Sequence, residues 1–324
     1  MNVAILGAGS WASALSVVLS ENDHNISIYH YNDTLKNQKK YKYLKNIKVP
    51  KNVVFKSNFD DISFNDMMLI ALPTQFISKT LNKIDINKKT LVVNCSKGFN
   101  VENDDRLSLM ITKQLNLSMD NFVVLSGPSH AEEVSKKIPT AIVSSSYSEK
   151  KSILVQKTLS NKYFRVYTNS DVIGVEIGGA CKNIIAIAAG ICIGLGYGDN
   201  TVSALLSRGL QEIIRLGKKI GAEQQTFYGL SGLGDLSVTI FSKFSRNREF
   251  GVKIGKGIEL EKAKKQIKMT IEGINATQIV YNLSNKHKIN MPIVNEVYSI
   301  LFNQKEPKLA INELMARKLT NELI

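Results

Sequence analysis

The sequence predicts an α/β protein in two parts: a parallel, doubly wound sheet over residues 1–170, then an all-α domain over residues 171–324. Three observations predict it. Short apolar runs alternate with amphipathic stretches through the first half, the pattern of strands joined by crossover helices. A glycine-rich turn directly follows the first of those runs and opens a helical stretch. After about Asp171 the strand signals fade and long helical patterns take over.

In chain order, the predicted strands are Val3–Leu6, Ile26–Tyr29, Val53–Phe55, Met67–Ala71, Thr90–Asn94, Val123–Ser126 and Ala141–Ser145. Ser10–Ser20 and Asp104–Leu115 are long enough to be crossover helices. Beyond residue 170 helices are predicted over Val172–Ala189, Thr201–Ile220, Leu260–Lys265, Gly273–Lys286, Pro292–Phe302 and Leu309–Arg317. The Asn- and Lys-rich piece Asn32–Lys48 reads as solvated surface. The longest nearly charge-free apolar run, Ile184–Gly196, falls short of the ~20 residues a bilayer span needs, so it predicts a buried helix without membrane insertion.

A net charge of +14 suits an anionic partner such as a phosphorylated small molecule, but the lysines are scattered. No long basic tract is interleaved with aromatics, so no nucleic-acid partner is predicted. The three cysteines, Cys95, Cys181 and Cys192, have neither metal-ligand spacing nor an even count. The chain opens on a strand-like run without a secretory signal, so the expectation is a cytoplasmic protein that needs no metal.

Lys182 is the most informative residue. It lies within Gly174–Gly190, an otherwise apolar stretch, and must bury its ammonium, pair it or use it. Burial lowers a lysine's pKa and makes it a usable general acid/base. The alternative is a buried stem with the head in water. Asp235 sits in a glycine-rich, apolar turn where a bare carboxylate needs a cation, and Lys182 is the natural candidate.

In Gly7-Ala8-Gly9-Ser10-Trp11-Ala12, Gly7 allows a tight turn and Gly9 lets the backbone approach a pyrophosphate. Ala12 permits close helix–strand packing, and the helix N-terminus favours the negative charge. This is the fingerprint of a Rossmann-like, NAD(P)-binding domain. At the end of the second strand no acid stands to take a ribose hydroxyl. His30 and Tyr31 stand there instead, with Asp33 later in the loop, and NAD against NADP stays open. Lys97 follows a strand in Ser96-Lys97-Gly98, where a cation can meet substrate or cofactor or be ordinary loop charge. The loop Ser126-Gly127-Pro128-Ser129-His130 can offer backbone N–H groups and a hydroxyl to a ligand, or use Ser129 to cap the next helix. Ser245-Arg246-Asn247-Arg248 carries planar donors suited to phosphate oxygens.

Taken together, and in this order, these motifs resemble the bacterial NAD(P)-dependent glycerol-3-phosphate dehydrogenases over nearly the whole chain. Ile173–Asn183, Gly196–Asn200, Arg208-Gly209, Gly232–Leu236 and Ile271–Gly273 join the resemblance. It implies reduction of dihydroxyacetone phosphate to sn-glycerol 3-phosphate, feeding phospholipid synthesis. It implies that Ser10, Trp11, Tyr31, Ala131, Arg246, Thr270 and Glu272, with Lys97, touch NAD or NADP. Lys97, Gly127, Ser129, Lys182, Asp235, Ser245, Arg246 and Asn247 would hold the substrate. Lys182, Asp235 and Lys97 would be catalytic, with Lys182 exchanging the proton. Gly178-Gly179, one turn before Lys182, would leave room for the nicotinamide. The helical domain could supply a homodimer face. β-Hydroxyacid dehydrogenases are the rival class; their usual asparagine four residues after the lysine is Ala186 here.

Overall fold

The computed structural model describes residues 1–31, 35, 38–44, 46–267 and 269–322; Asp33 lies outside them. The first part runs β1 (Asn2–Leu6), α1 (Ser10–Ser20), β2 (Asn25–Tyr29), β3 (Val53–Lys56), β4 (Met67–Ile70), α2 (Ile77–Leu81), β5 (Leu91–Asn94) and α3 (Leu107–Gln114). It continues with β6 (Phe122–Ser126), α4 (Ala131–Val134), β7 (Thr140–Ser145), α5 (Glu149–Leu159) and β8 (Phe164–Asn169). Helices follow: α6 (Val172–Gly194), α7 (Asp199–Lys219), α8 (Asp235–Phe241), α9 (Arg246–Gly255) and α10 (Leu260–Gln266). Last come α11 (Glu272–Lys286), α12 (Pro292–Phe302) and α13 (Pro307–Met315).

The sheet has the order β3-β2-β1-β4-β5-β6-β7-β8. The first six strands are parallel, in the doubly wound order that puts a ligand crevice at the carboxyl ends of β1 and β4. Strands β1, β4 and β5 read as almost unbroken apolar runs because helices cover both faces. Alternate residues feed two cores: Val3 and Ile5 belong to one face, Ala4 and Leu6 to the other.

Several features depart from the sequence-based expectation. Strand β7 runs antiparallel to β6, and β8, which was not predicted, pairs parallel to β7. The segment joining β6 to β7 carries only the short α4, so the chain turns back without the crossover a parallel neighbour needs. Helices α2, α5, α8 and α9 were also not predicted, and α6 continues past Ala189 to Gly194.

Helix α6 is the axis of the helical part. Nearly every residue of it is buried, and α7, α8, α9 and α11 pack around it. It crosses α9 at glycines: a Cβ on Gly190 would stand 2.9 Å from Gly251 Cα, and one on Gly194 would stand 3.0 Å from Gly255 Cα. All three cysteines are buried with free thiols.

Candidate active site

The carboxyl ends of β1, β4, β5 and β6 open into a cleft of about 310 Å³, closed from the other side by α6, α8, α9 and the loop before α11. Gly7 turns the chain there with φ +106°, and a Cβ would meet Ala71 O at 2.7 Å. Only glycine suits both constraints. Gly9 caps α1 with nothing within 4 Å of its missing Cβ, and no side chain caps the helix. The N-terminal N–H groups of α1 and its positive dipole end therefore face open space. Ser10 and Trp11 line the cleft, and the Trp11 Nε1–H is buried without a partner.

At the floor, the buried Asp235 carboxylate binds two ammonium groups. Lys182 Nζ donates to Oδ1 and Lys97 Nζ donates to Oδ2 at 2.6 Å. Asp235 is 1% exposed, so the sequence-predicted need for a cation is met twice over. Lys182 also donates to Thr239 Oγ1 at 2.8 Å, and Lys97 to the Gly127 carbonyl at 2.8 Å. Burial pushes the Lys182 pKa down to about 7; Asp235 opposes the shift and the charge of Lys97 adds to it. With Lys182 protonated, two cations share one carboxylate and the floor carries net positive charge.

The third wall is the N-terminus of α9. Ser245 caps it, its hydroxyl accepting from Arg248 N at 3.3 Å. Arg246 is exposed and reaches only the Thr270 carbonyl, at 3.4 Å, with no carboxylate partner among the described residues. Asn247 is held in place: its Nδ2 donates to Asn183 Oδ1 at 2.9 Å, and its Oδ1 accepts from Gly273 N at 3.0 Å. Ser129, Ala131 and Thr270 also line the cleft.

Several sequence-predicted residues have different or additional duties. Ser129 caps no helix; its hydroxyl donates to the Gly127 carbonyl at 2.9 Å, and His130 stands at the start of α4. The carbonyl of Gly127 is occupied by Lys97 and Ser129. Glu272 lines the cleft, but its carboxylate is engaged by Thr74, accepting from its N–H at 3.1 Å and its hydroxyl at 2.7 Å. Tyr31 is 82% exposed, stacked on His30, and stands outside the cleft lining. The Gly178–Gly179 pair does not open space for a ring. A Cβ on Gly178 would stand 2.6 Å from Ser231 O, and one on Gly179 would stand 2.7 Å from Ser126 Oγ. The glycines let the Leu230–Gly234 turn and β6 press against α6 instead.

Sequence reasoning passed over Thr239, Asn183 and Glu176. Thr239 follows Asp235 by four residues on α8, so it shares Asp235's face, a spacing legible in the sequence. Glu176 is buried on α6, and its carboxylate accepts from Ser108 N at 2.8 Å, Ser108 Oγ at 2.5 Å and Arg106 at 2.9 Å. Those partners lie some seventy residues away, and no local signal announces them. Among the described residues no group of His, Cys, Asp and Glu is arranged to hold a metal.

Comparison with known proteins gives one answer over both parts of the chain. The N-terminal part of the NAD-dependent glycerol-3-phosphate dehydrogenase family matches residues 2–152, and its C-terminal part matches residues 171–312. The chain is 43% identical over 329 residues to a glycerol-3-phosphate dehydrogenase (NAD(P)+) of Clostridium botulinum, covering 99% of both chains. A Thermoanaerobacter protein of the same name is 42% identical over 331 residues, covering 100% of this chain and 99% of its own. The crystal structure of glycerol-3-phosphate dehydrogenase from Coxiella burnetii superposes with a TM-score of 0.92 at 35% identity, covering 98% of this chain and 99% of its own. On these matches over both parts, the chain belongs to the NAD-dependent glycerol-3-phosphate dehydrogenase family.

Proposed function

We propose that this chain catalyses the reversible, NAD(P)H-dependent reduction of dihydroxyacetone phosphate to sn-glycerol 3-phosphate. The observation that carries the reading is the pair Lys182–Asp235, buried at the floor of a cleft walled by two helix N-termini. The names of the relatives, which match nearly end to end, support it.

The residues present suit a dinucleotide. The open space above Gly9, the uncapped start of α1 and the orphaned Trp11 Nε1–H form a cradle for a pyrophosphate and its neighbours. Gly7, Gly9, Ser10, Trp11, Ala131, Arg246 and Thr270 would hold NAD or NADP. Glu272 would act from its bond to Thr74, and Tyr31 would meet the cofactor from outside the cleft lining. When bound, the nicotinamide supplies or accepts a hydride.

Lys182, poised near neutrality, gives its proton to the carbonyl oxygen of the substrate and takes it back in the reverse direction. Asp235 fixes the position of Lys182, with Thr239 as a second anchor. Lys97, held by Gly127 and Ser129, adds positive charge where the oxyanion develops. Arg246 and the N-terminus of α9 hold the phosphate, with Ser245 and Asn247 shaping that wall. Binding at the phosphate then positions the reacting carbon.

On this reading residues 1–170 bind the cofactor and residues 171–324 bear the substrate and proton chemistry. The enzyme works in the cytoplasm, supplies glycerophospholipid synthesis and forms a homodimer through the helical part.

The test is NADH and NADPH oxidation by purified protein with dihydroxyacetone phosphate, beside small hydroxy- and keto-acids. Oxidation that requires the phosphorylated ketone supports the reading. Oxidation with an unphosphorylated keto acid alone would assign the chain to the hydroxyacid enzymes instead.

A further inference from the structure

A second cavity, of about 490 Å³ and open to solvent on one side, is lined by α6, α7, α12, α13 and the segment after α13. Its walls are aliphatic, with Ala188 and Ile191 from α6, Leu205 from α7, Val297 and Ile300 from α12 and Leu314 from α13. Its size is that of sites that hold small organic ligands. Three arginines, Arg208, Arg215 and Arg317, also line it. The reductase reading uses neither the cavity nor the Arg208-Gly209 motif.

None of the three has a carboxylate partner among the described residues. Arg208 donates to the Glu322 carbonyl at 2.9 Å and Arg215 Nε to the Asn290 carbonyl at 2.9 Å. Arg317 reaches only Asn290 Oδ1, at 3.4 Å. Three acids line the cavity: Glu322 meets Arg208 through its backbone carbonyl, and the other two are committed elsewhere. Glu212 accepts from Ile293 N at 2.7 Å and Val294 N at 3.1 Å, where α12 begins. Glu296 is paired with Lys305 at 2.6 Å. Arg215 and Arg317 both bond Asn290, and Arg208 lines the same cavity from two turns before Arg215 on α7. Desolvation lowers the pKa of Arg215; Glu212 opposes that shift, and the charges of Arg208 and Arg317 add to it.

A hydrocarbon chain gains by leaving water for such walls, and an arginine fork matches a carboxylate oxygen for oxygen. We infer that this cavity binds a single-chain fatty carboxylate, the chain along α6 and α12 and the head among Arg208, Arg215 and Arg317. Among the described residues the three guanidiniums bond only carbonyl and amide oxygens, and an uncharged lipid, or a second copy pressing an apolar face here, would bring them no carboxylate. The inference is independent of the reductase reading, because it uses no residue of the other cleft.

The experiment is a calorimetric titration of the full-length protein with oleate, below the concentration at which oleate forms micelles, with oleyl alcohol as the uncharged control. We expect saturable binding at one site per chain, with oleyl alcohol about tenfold weaker or worse. Arg208 and Arg317 are exposed, and so is Ala204 on the α7 rim, so substitutions there leave the fold and turnover intact. The double variant Arg208→Gln/Arg317→Gln should weaken oleate by about tenfold or more, and Ala204→Trp should block it. Absence of saturable binding by folded protein overturns the inference, as does an affinity that ignores the arginines. So does a dimer, seen by light scattering, that Ala204→Trp dissociates while oleate fails to bind.

Discussion

The two halves of α6 are held by different physics. In the first half Glu176 and Lys182 are buried charges, each met by named atoms from distant elements: Arg106 and Ser108 for one, Asp235 and Thr239 for the other. In the second half Gly190 and Gly194 have no side chain to offer, and α9 closes on them through Gly251 and Gly255. A buried charge demands particular partners at particular distances. A glycine crossing demands only that nothing be added. The half that handles protons is therefore specified atom by atom, and the half that anchors it is specified by shape.

Substitutions can break that division. Lys182→Met should cost the most in rate, about 10²–10⁴-fold in turnover, while the protein stays folded because Asp235 keeps Lys97. Turnover near normal would remove Lys182 from the proton role. Glu176→Ala should do the opposite, lowering stability in urea by about 3 kcal/mol through the stranded Arg106. A loss of rate in its still-folded molecules would show that Glu176 serves the chemistry as well. Gly251→Val should cost about 1–3 kcal/mol of stability by overpacking the crossing. An unchanged melting temperature would mean that α9 can move aside. Arg246→Ala should raise KM for dihydroxyacetone phosphate by about tenfold or more, with a smaller change in kcat. An unchanged KM would take the phosphate away from Arg246.

The smallest and sharpest effect is that of pH. Reduction needs protonated Lys182, so its rate should fall as pH rises through about 7. Oxidation needs the neutral amine, so its rate should rise through the same range and level off above it. Parallel profiles in the two directions would refute Lys182 as the titrating group.

Much of this was legible in the sequence. Continuous apolar runs such as Met67–Ile70 announce central parallel strands, and Gly7 announces its turn. Lys182 and Asp235 each declared an unmet need, and each meets the other's. The direction of β7 was not legible, because a strand's residues do not encode which way it runs. Strand β8 was passed over because Arg165 and Tyr167 are exposed at the sheet edge, which interrupts the apolar signal. Helix α8 begins in a glycine-rich turn and α9 in Ser245-Arg246-Asn247, both of which read as loops. The Glu176 clamp and the packing role of Gly178 depend on contacts made only once the chain has folded.

Helix α6 has one more consequence, for the chain as it is made. Over 23 residues with a mean hydropathy of 1.7 in its best window, it has the length and composition of a membrane span, yet 89% of that window is buried within the protein. Insertion machinery reads such a segment before its neighbours exist. A lysine at the centre of a span costs about 2.5–3.5 kcal/mol on insertion scales, and Lys182 stands at that centre, one and a half turns from Glu176. Arg106 has already been made when Glu176 emerges, but Asp235 follows Lys182 by 53 residues. Until Asp235 is made, the charge of Lys182 weighs against insertion of the segment. The residue proposed to move the proton is thus also the charge that sets this segment apart from an uninterrupted membrane span.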